Sequence, residues 1–443
     1  MSRSGFTGSL LAILVACAPV QAQTVWLRAG QMLDVERGVM LRDQAIGILD
    51  GRITQLGPAD TTLPAGVAVI DWSEHTVLPG LIDLHTHLVG DIQSANIAAP
   101  LMSSAARDAL VGAANARATL HAGFTTVRDV GCYRAFTDVA LRDAIADGLV
   151  EGPRMFVAGA YLTVSQGGGE VTGLAPDVRV PDEMRRGVAD SALQVRRRVR
   201  ELLAGGADFI KVIATGAVLT SGTTPSAPEY SQAQLRAAVE EATQAGSFVV
   251  AHAHGVEGIQ RAVRAGVRSI EHGSYIDDAS IALMRKHGTW LVADVYNGDY
   301  IDEVGTRDGW SAEILRKNRE TTQTQRDGFA RAVRAGVAIG FGTDAGVFPH
   351  GENARQFAYM VRLGMTPLAA IRAATIDAAR SLGREQEFGS IAIGRSADLI
   401  AVSGDPLTDI ERLRDVRAVI KQGRVVVALR ETPVEAAAPA PSR

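Results

Sequence analysis

The sequence predicts an α/β protein built on a (β/α)8 barrel, with a small β-sandwich formed from both ends of the chain. A unit of amphipathic helix, glycine and apolar strand recurs between residues 76 and 385. Eight apolar segments of strand length alternate with helices there, which favours a barrel over an open doubly wound sheet. These segments lie at about 77–88, 125–130, 154–159, 208–214, 248–254, 269–274, 289–295 and 338–343. Short strands separated by turns occupy the regions before and after them.

The composition indicates a globular protein with a large core. The chain has 443 residues, 47% of them hydrophobic, and a formal net charge of −4. It therefore has no basic bias of the kind that nucleic-acid-binding proteins show. Its two cysteines cannot form a disulfide framework. We expect no membrane span, because no apolar run approaches the ~20 residues that one needs, and we expect a homo-oligomer.

Residues 1–22 are typical of an export signal. Arg3 is followed by an apolar stretch that ends at Val20, and Val20-Gln-Ala22 provides a small-residue cleavage site. Leu14-Val-Ala-Cys17 is also similar to a lipoprotein cleavage box, which would leave Cys17 as a lipidated N-terminus. We therefore expect an exported protein, periplasmic or secreted, with a lipoprotein as the alternative.

The two ends of the mature chain, residues 23–75 and 386–430, are predicted to pair in one β-sandwich domain. Asp50-Gly51 separates two apolar runs, as does Gln422-Gly423 near the other end. Such dipeptides favour tight hairpin turns. Residues 431–443 are rich in alanine and proline, which predicts a disordered tail.

The helices of the barrel region, residues 76–385, carry start and end signals. Ser231 can cap a helix while Gln234, three residues later, reciprocates. Thr366 with Pro367 opens another helix, and a glycine after each helix suits the left-handed conformation that ends it. Residues 215–230, rich in Gly, Ser, Thr and Pro, are predicted to form a long loop that covers the site as a lid.

Polar side chains occur at the carboxyl ends of five predicted strands, where barrel enzymes place their chemistry. His85 and His87 are two residues apart on one strand, so both imidazoles leave the same face. The other groups are Lys211 in the fourth strand, His252 and His254 in the fifth, His272 in the sixth and Asp344 in the eighth. Any one of them alone would more often be a satisfied core residue. Five strands that end in metal-competent groups predict a metal site, because an unpaired polar group in an apolar strand is costly.

This order of residues resembles the binuclear site of the metal-dependent amidohydrolase superfamily. Pro79-Gly-Leu-Ile-Asp83 and Gly394-Arg-Ser-Ala-Asp-Leu-Ile400 are also similar to that superfamily, and the resemblance covers nearly the whole chain after the export signal. It implies a TIM-type barrel and two divalent metal ions. We expect Zn²⁺, and the N/O ligands also suit Mn²⁺ or Co²⁺.

The resemblance also implies a role for each polar residue. The implied metal ligands are His85, His87, Lys211, His252, His272 and Asp344. The first two histidines and the aspartate would hold one ion, and the other two histidines the second. A carbamate formed from CO₂ on Lys211 would bridge both, and Asp344 would carry a proton to the leaving amine. The spacing favours His252 over His254 as the ligand and leaves His254 as a substrate contact, although this choice stays open.

Three segments resemble the dipeptidase-like subgroup of the superfamily. They are Lys211-Val-Ile-Ala-Thr-Gly216, His252-Ala-His254 and Thr163-Val-Ser-Gln-Gly-Gly-Gly-Glu170. The subgroup includes prolidase-like enzymes, Xaa-Arg(Lys) dipeptidases and bacterial hydrolases of ochratoxin, an aryl amide of phenylalanine. It implies cleavage of the amide bond to a C-terminal amino acid in a dipeptide or small-molecule substrate. Gly168 stands where many members carry a histidine, so this substrate contact departs from the pattern; its backbone N–H could approach a ligand, or the loop could simply be flexible.

Arg128, Tyr230, His254 and Tyr296 are candidates to bind the substrate carboxylate, since they fall at or just beyond strand ends. For Arg128, an ion pair with Asp129 or Asp83 is the favoured alternative. Three other functions remain open: a cyclic amide or imidazolone-type hydrolase on the same scaffold, a non-catalytic metal-binding relative, and a barrel lyase without a metal. The complete ligand set argues against the second of these.

Overall fold

The computed structural model of this protein describes residues 24–90 and 96–429. The export signal, the lipidation site at Cys17 and the tail from residue 431 lie outside the described residues, so the predictions for them stay untested. Within this part of the chain, no helix combines the length and the apolar character that a membrane span requires. Cys132 is buried.

The elements alternate between strands and helices through the middle of the chain. The strands are β1 (Val25–Asp34), β2 (Val39–Leu49), β3 (Arg52–Pro58), β4 (Ala68–Pro79), β5 (Leu81–Thr86), β6 (Phe124–Asp129), β7 (Arg154–Val157), β8 (Tyr161–Leu162), β9 (Ile210–Ile213), β10 (Val249–Ala253), β11 (Ser269–His272), β12 (Trp290–Val292), β13 (Ile339–Gly340), β14 (Leu399–Val402), β15 (Val416–Lys421) and β16 (Arg424–Val427). The helices are α1 (Ala99–Met102), α2 (Ala105–His121), α3 (Thr137–Ala146), α4 (Ala192–Ala204), α5 (Gln232–Gln244), α6 (Val256–Ala265), α7 (Asp278–His287), α8 (Asn297–Asp308), α9 (Ala312–Ala335), α10 (Arg355–Arg362), α11 (Pro367–Ala373) and α12 (Ile376–Leu382). Short 3-10 helices cover Asp182–Arg185 and Ile410–Arg414.

Both ends of the chain contribute to one seven-stranded sheet, ordered β16-β15-β14-β4-β1-β2-β3. The ends join where β14 pairs antiparallel with β4, for example Ile400 with Leu78. The sheet curls over, since the N–H of Ile53 in β3 donates to the carbonyl of Arg395, just before β14, at 2.9 Å. Its enclosed face holds a separate apolar core. The ends therefore pair in one curled sheet with its own core, and the division into the two facing sheets of a sandwich stays a prediction.

The middle of the chain forms two parallel sheets, β5-β6-β7 and β13-β12-β11-β10-β9-β8. Backbone hydrogen bonds link their edges: Leu84 N–H donates to Phe341 O at 2.9 Å, and Asp208 N–H to Val157 O at 2.8 Å. Eight of these strands coincide with the eight predicted segments, and the short β8 is additional. The fold is thus a barrel-type α/β arrangement with a separate sheet domain. The strands nevertheless pair as two sheets, so the closed barrel itself stays a prediction.

The predicted turns and caps are confirmed. In the hairpin between β2 and β3, Asp50 and Gly51 have φ of 50° and 76°, the paired left-handed conformation of a type I′ turn. Gln422 and Gly423 repeat it between β15 and β16. Ser231 and Gln234 form a reciprocal capping box at the start of α5.

The apolar stretch from residue 77 to 88 is divided between the two regions. Its first part completes β4 in the terminal sheet, and after Gly80 the chain enters β5. A Cβ at Gly80 would lie 2.1 Å from Oγ1 of Thr125. Glycine is needed here because β5 and β6 approach each other so closely. The junction fixes β5, and with it His85, against the terminal sheet.

Candidate metal centre

All six predicted metal ligands line one cavity at the carboxyl ends of the parallel strands. Its empty volume is about 1300 Å³, open solvent at the mouth included. Side-chain alternation explains the placement along β10 and the residue after it: His252 and His254 line the cavity, while Ala251 and Ala253 lie in the main core. On β9, Lys211 faces the cavity in the same way between the core residues Ile210 and Val212.

Two of the six residues have a left-handed backbone that is rare outside glycine. His272 has a φ of 68° and Asp344 a φ of 58°. Ile270 and His272 are two residues apart on β11, so in a regular strand their side chains would point to the same side. Ile270 packs in the main core, whereas His272 lines the cavity. Such a conformation costs on the order of 1–3 kcal/mol and is concentrated at functional sites. Strain at two candidate ligands supports a functional role for this cavity.

His85, His87 and Asp344 form a cluster with the geometry of a metal site. The Nε2 atoms of His85 and His87 lie 3.3 and 3.2 Å from Asp344 Oδ1. On the outer side, His85 Nδ1 lies 2.9 Å from Glu271 Oε2, and His87 Nδ1 lies 2.9 Å from the carbonyl of Gly131. Both acceptors favour a proton on Nδ1, which leaves the Nε2 lone pairs directed into the cluster.

The charge states in this cluster suit a metal as well. Burial lowers the pKa of His85, and so does the nearby Lys211, which favours the neutral imidazole. Burial alone would raise the pKa of Asp344, but His85 and His87 lower it well below its ordinary value. A neutral imidazole and an ionised carboxylate are the forms that bind metal ions.

His252, His254 and His272 form a second cluster on the opposite strands. The ring of His252 lies 4.5 Å from the rings of both other histidines, measured between centroids. His272 Nδ1 bonds to Asp294 Oδ1 at 2.9 Å, and His254 Nδ1 lies 2.7 Å from the hydroxyl of Ser274. Burial lowers the pKa of His254 to about 3. His252 in β10 and His254 just after it both belong to this cluster, so the choice of His252 as the metal ligand stays a prediction.

Lys211 lies within electrostatic reach of both clusters. It is 1% exposed, and burial lowers its pKa from 10.5 to about 8. Its charge acts on His85 in the first cluster and on His252 and His272 in the second. A lysine with a lowered pKa has a larger fraction of neutral amine, which is the form that reacts with carbon dioxide.

Comparison with known proteins agrees with this geometry. Residues 76–426 match the model of the amidohydrolase family. The chain belongs to the amidohydrolase family. An ochratoxinase of Aspergillus niger is 33% identical over 426 residues, which cover 92% of this chain and 86% of that protein.

Solved structures give the same result. A crystal structure of a Xaa-Pro dipeptidase with methionine bound in its active site is 36% identical, with a TM-score of 0.86 over 92% of this chain and 100% of that one. A prolidase complexed with N-methylphosphonate-L-proline is 33% identical, with a TM-score of 0.85 and the same coverage. The amidohydrolase described here is therefore a hydrolase of the prolidase-like and ochratoxinase-like subgroup.

Three of the predicted substrate contacts in this amidohydrolase lie away from the cavity lining. The guanidinium of Arg128 is fully buried, donates to both oxygens of Glu271 at 2.8 and 2.9 Å, and is thus structural. The expected ion pair is real, but its partner is Glu271 rather than Asp129 or Asp83. Tyr230 donates its hydroxyl to the carbonyl of Ala189 at 2.9 Å.

The third predicted contact that lies outside the cavity lining is Tyr296. Its ring packs 5.1 Å from that of Phe348 and 5.4 Å from that of Tyr359, measured between centroids. It belongs to a small aromatic cluster beside the site. Arg128, Tyr230 and Tyr296 therefore do not line the cavity, and the first two bond to other parts of the protein, so nothing in the cavity lining supports the predicted role of these residues as substrate contacts. His254 does line the cavity.

Gly168 lines the cavity, but its amide is already occupied. The N–H of Gly168 donates to both carboxylate oxygens of Glu229, at 2.9 and 3.1 Å. Its carbonyl accepts from the hydroxyl of Thr220 at 2.7 Å. A Cβ on Gly168 would lie 3.1 Å from the side chain of Ile213 and 3.2 Å from Ala217. The loop is tied down from several sides, so neither the free amide nor the flexible loop that the sequence left open fits this glycine.

Sequence reasoning missed the residues that support the ligands from behind. Glu271, Asp294 and Asn297 are buried and bond to His85, His272 and Asp344, respectively. Two of them had a signal in the sequence: Glu271 is a charge inside an apolar strand, and Asp294 lies at the end of the predicted seventh strand. Asn297 donates from Nδ2 to Asp294 Oδ2 at 3.2 Å and to Asp344 Oδ2 at 3.1 Å. It therefore links the two clusters.

Proposed function

We propose that this amidohydrolase is an exported binuclear-metal enzyme that hydrolyses the amide bond to a C-terminal amino acid. Its substrates would be dipeptides or N-acyl and aryl amino acids, including ochratoxin-like amides. The observation that carries the proposal is the cavity that Lys211 shares with the two histidine clusters, each of which could hold a metal ion. The ochratoxinase relative and the dipeptidase with bound methionine support the type of substrate. We also propose that the parallel strands close into a (β/α)8 barrel, as the resemblance implies.

The donor set fits two divalent ions, for which we propose Zn²⁺. His85, His87 and Asp344 would hold one ion, and His252 and His272 the other, with His254 free for the substrate. Imidazole nitrogens and carboxylate oxygens without a thiolate suit zinc and also manganese or cobalt. Each of these histidines except His252 has a hydrogen-bond partner at Nδ1, a common feature of metal-binding histidines.

Lys211 would bridge the two ions as a carbamate. The ammonium would first lose one proton. The neutral amine would then form a C–N bond to CO₂ and lose a second proton, so a cation would become an anion. A lysine ammonium beside two dications would be repelled, whereas a carbamate attracts both. The lowered pKa of Lys211 supports this reaction at neutral pH.

When bound, the ions lower the pKa of a water molecule from about 15.7 towards ~7 and polarise the scissile carbonyl. Asp344 would then accept the proton of this water molecule and pass it on. Its Oδ1 faces His85 and His87, and its Oδ2 accepts a hydrogen bond from Asn297 at 3.1 Å. The second lone pair of Oδ2 can hold the proton and deliver it to the leaving amine nitrogen.

Metal analysis and a substrate screen on wild type and Asp344→Asn test this function. We expect about two divalent ions per chain and release of a free amino acid from N-acyl amino acids and dipeptides. Asp344→Asn should lose turnover and keep most of its metal, because an amide oxygen still coordinates but cannot carry the proton. Turnover near wild type in this variant would remove the proton-transfer role. Ring opening that adds water and releases no fragment would instead support the cyclic-amide hydrolase.

A further inference from the structure

Four apolar residues from different elements form one side of the cavity, here called the apolar wall: Leu219, Ile301, Ile314 and Val347. Ile301 lies in α8 and Ile314 in the first turn of α9, and both are at most 5% exposed. Leu219 comes from the loop after β9 and Val347 from the segment after β13. A wall assembled from four separate elements is not the by-product of one apolar helix face.

The apolar wall begins next to Asp344. Asn297 donates to Asp344 Oδ2, and Ile301 follows one turn later on the same face of α8. On the other side, the N–H of Val347 donates to the carbonyl of Asp344 at 3.1 Å. Asp344 delivers the proton to the leaving amine in the proposed function, on which this inference rests. The group that reaches the wall is therefore the side chain of the leaving amino acid.

The polar residues around the wall direct their donors to the protein. The hydroxyl of Thr220 donates to Gly168 O at 2.7 Å, and that of Thr322 to Asn318 O at 2.7 Å. The amide of Asn318 donates to Gly298 O at 2.8 Å. The two hydroxyls cannot donate to a substrate carboxylate without losing an internal hydrogen bond, and Asn318 already uses one of its two amide hydrogens.

Charged partners are also missing from the wall. Among the described residues that line the cavity, Lys211 is the only lysine or arginine, and residues 91–95 contain neither. Of the acidic residues described in the lining, Glu170 pairs with Arg185 at 3.1 Å, and Asp294 and Asp344 pair with the histidines of the two clusters. Lys317, below the wall, binds Glu313 at 2.7 Å and the carbonyl of Thr220 at 2.8 Å. A charged side chain placed against this wall would lose its hydration without gaining a counter-charge.

We infer that the apolar wall is the specificity subsite of this enzyme and that it selects leaving amino acids with a large, uncharged apolar side chain. Leucine, methionine and phenylalanine fit this description because they replace water against apolar surface. Arginine, lysine, aspartate and glutamate are excluded by their desolvation.

The test measures kcat/KM for matched N-acetyl and N-benzoyl derivatives of Leu, Phe, Arg and Glu with the metal-loaded enzyme. We expect the apolar members to exceed the charged ones by about a hundredfold. In Ile314→Asp, the ratio of kcat/KM for the leucine substrate to kcat/KM for the arginine substrate should fall at least about tenfold. The new carboxylate can pair with the guanidinium and so offset the cost of removing it from water. Aspartate is compatible with this third position of α9, where acidic residues favour helix formation.

Leu193→Asp is the matched control, since Leu193 is also in the first turn of a helix but is 79% exposed and outside the cavity lining. It should leave the ratio unchanged. Leu219→Asp, at a half-buried loop position, repeats the test if Ile314→Asp does not fold. Apolar and charged substrates within about threefold of each other in wild type, or an unchanged ratio in the folded variants, would overturn the inference while the proposed function stands. If no substrate releases an amino acid, the proposed function fails and the inference fails with it.

Discussion

At the scale of single residues, the site depends on which nitrogen each histidine presents to the cavity. Glu271 and the Gly131 carbonyl bond to Nδ1 of His85 and His87 from outside, so both Nε2 atoms face Asp344. Glu271 is held in turn by the buried guanidinium of Arg128. This charge lowers the pKa of Glu271, against the effect of burial, and keeps it an acceptor for His85.

Replacing Lys211 tests the bridge between the clusters. Lys211→Ala should lose activity and at least one metal ion, because it removes the proposed anion between them. Acetate or another short carboxylic acid should restore part of both, since it can occupy the space of the carbamate. Metal content and turnover are measured with and without the acid. Lys286→Ala, at an exposed lysine on α7, is the control, and full binuclear occupancy without rescue would contradict the bridge.

The convergence of the ligands could be predicted from the sequence, but the partners of individual side chains could not. His85, Lys211 and Asp344 are metal-competent groups at the ends of strands, and parallel strands bring their carboxyl ends together. The position of Tyr230 gave the same signal, yet its hydroxyl bonds to Ala189. A position near a strand end does not determine the rotamer, nor which distant backbone group accepts the hydrogen bond.

At the scale of elements, two loops line part of the cavity, and α9 holds them in place. Residues 217–221 and 168–172 both line the cavity, and Thr220 and Thr172 bond across from one loop to the other. Lys317 and Glu313 of α9 tie the first loop down. Residues 217–221 of the predicted lid therefore line the site. They are bonded to α9, a contact that no pattern in the sequence indicates.

Lys317→Met should loosen these two loops. The change removes the ammonium that bonds to Thr220 O at 2.8 Å and to Glu313 at 2.7 Å. The carbonyl of Thr220 then keeps only its donors from Thr223, the hydroxyl lying at 2.9 Å. Losing a hydrogen bond to a charged group costs about 1.5–3 kcal/mol, so we expect lower stability and faster hydrogen exchange in residues 217–223. KM should rise more than kcat falls, because the lining moves while the metal ligands remain. Lys286→Met, at an exposed lysine, should change none of these quantities, and unaltered exchange in Lys317→Met would disprove the clamp.

At the scale of the whole molecule, polar contacts connect the terminal sheet to the parallel strands. Arg154 in β7 donates to Asp398 Oδ2 at 2.8 Å, and the N–H of Gly80 donates to the carbonyl of Asp398. Hairpin dipeptides and apolar runs could predict that the chain ends pair. They could not predict one curled sheet, because the bonds between β3 and residues 394–397 join segments more than 300 positions apart without a local signal.

The Arg154–Asp398 pair should therefore matter more for stability than its single contact suggests. The side chain of Asp398 is 4% exposed, and that of Arg154 is 19% exposed and lies over the ring of Phe388. Arg154→Met leaves a buried carboxylate without its cation, and we expect it to lower the free energy of unfolding by about 3 kcal/mol. Urea denaturation of the metal-loaded enzyme measures this loss.

Two further variants separate this ion pair from a general effect of removing an arginine. Arg197→Met removes an arginine that is 74% exposed and paired with Glu201, so it should cost less than about 1 kcal/mol. Arg154→Met combined with Asp398→Asn should recover part of the loss, because the unpaired charge is then gone. If Arg154→Met is no less stable than Arg197→Met, the two regions are held together by apolar packing instead, and the coupling argued from this pair is wrong.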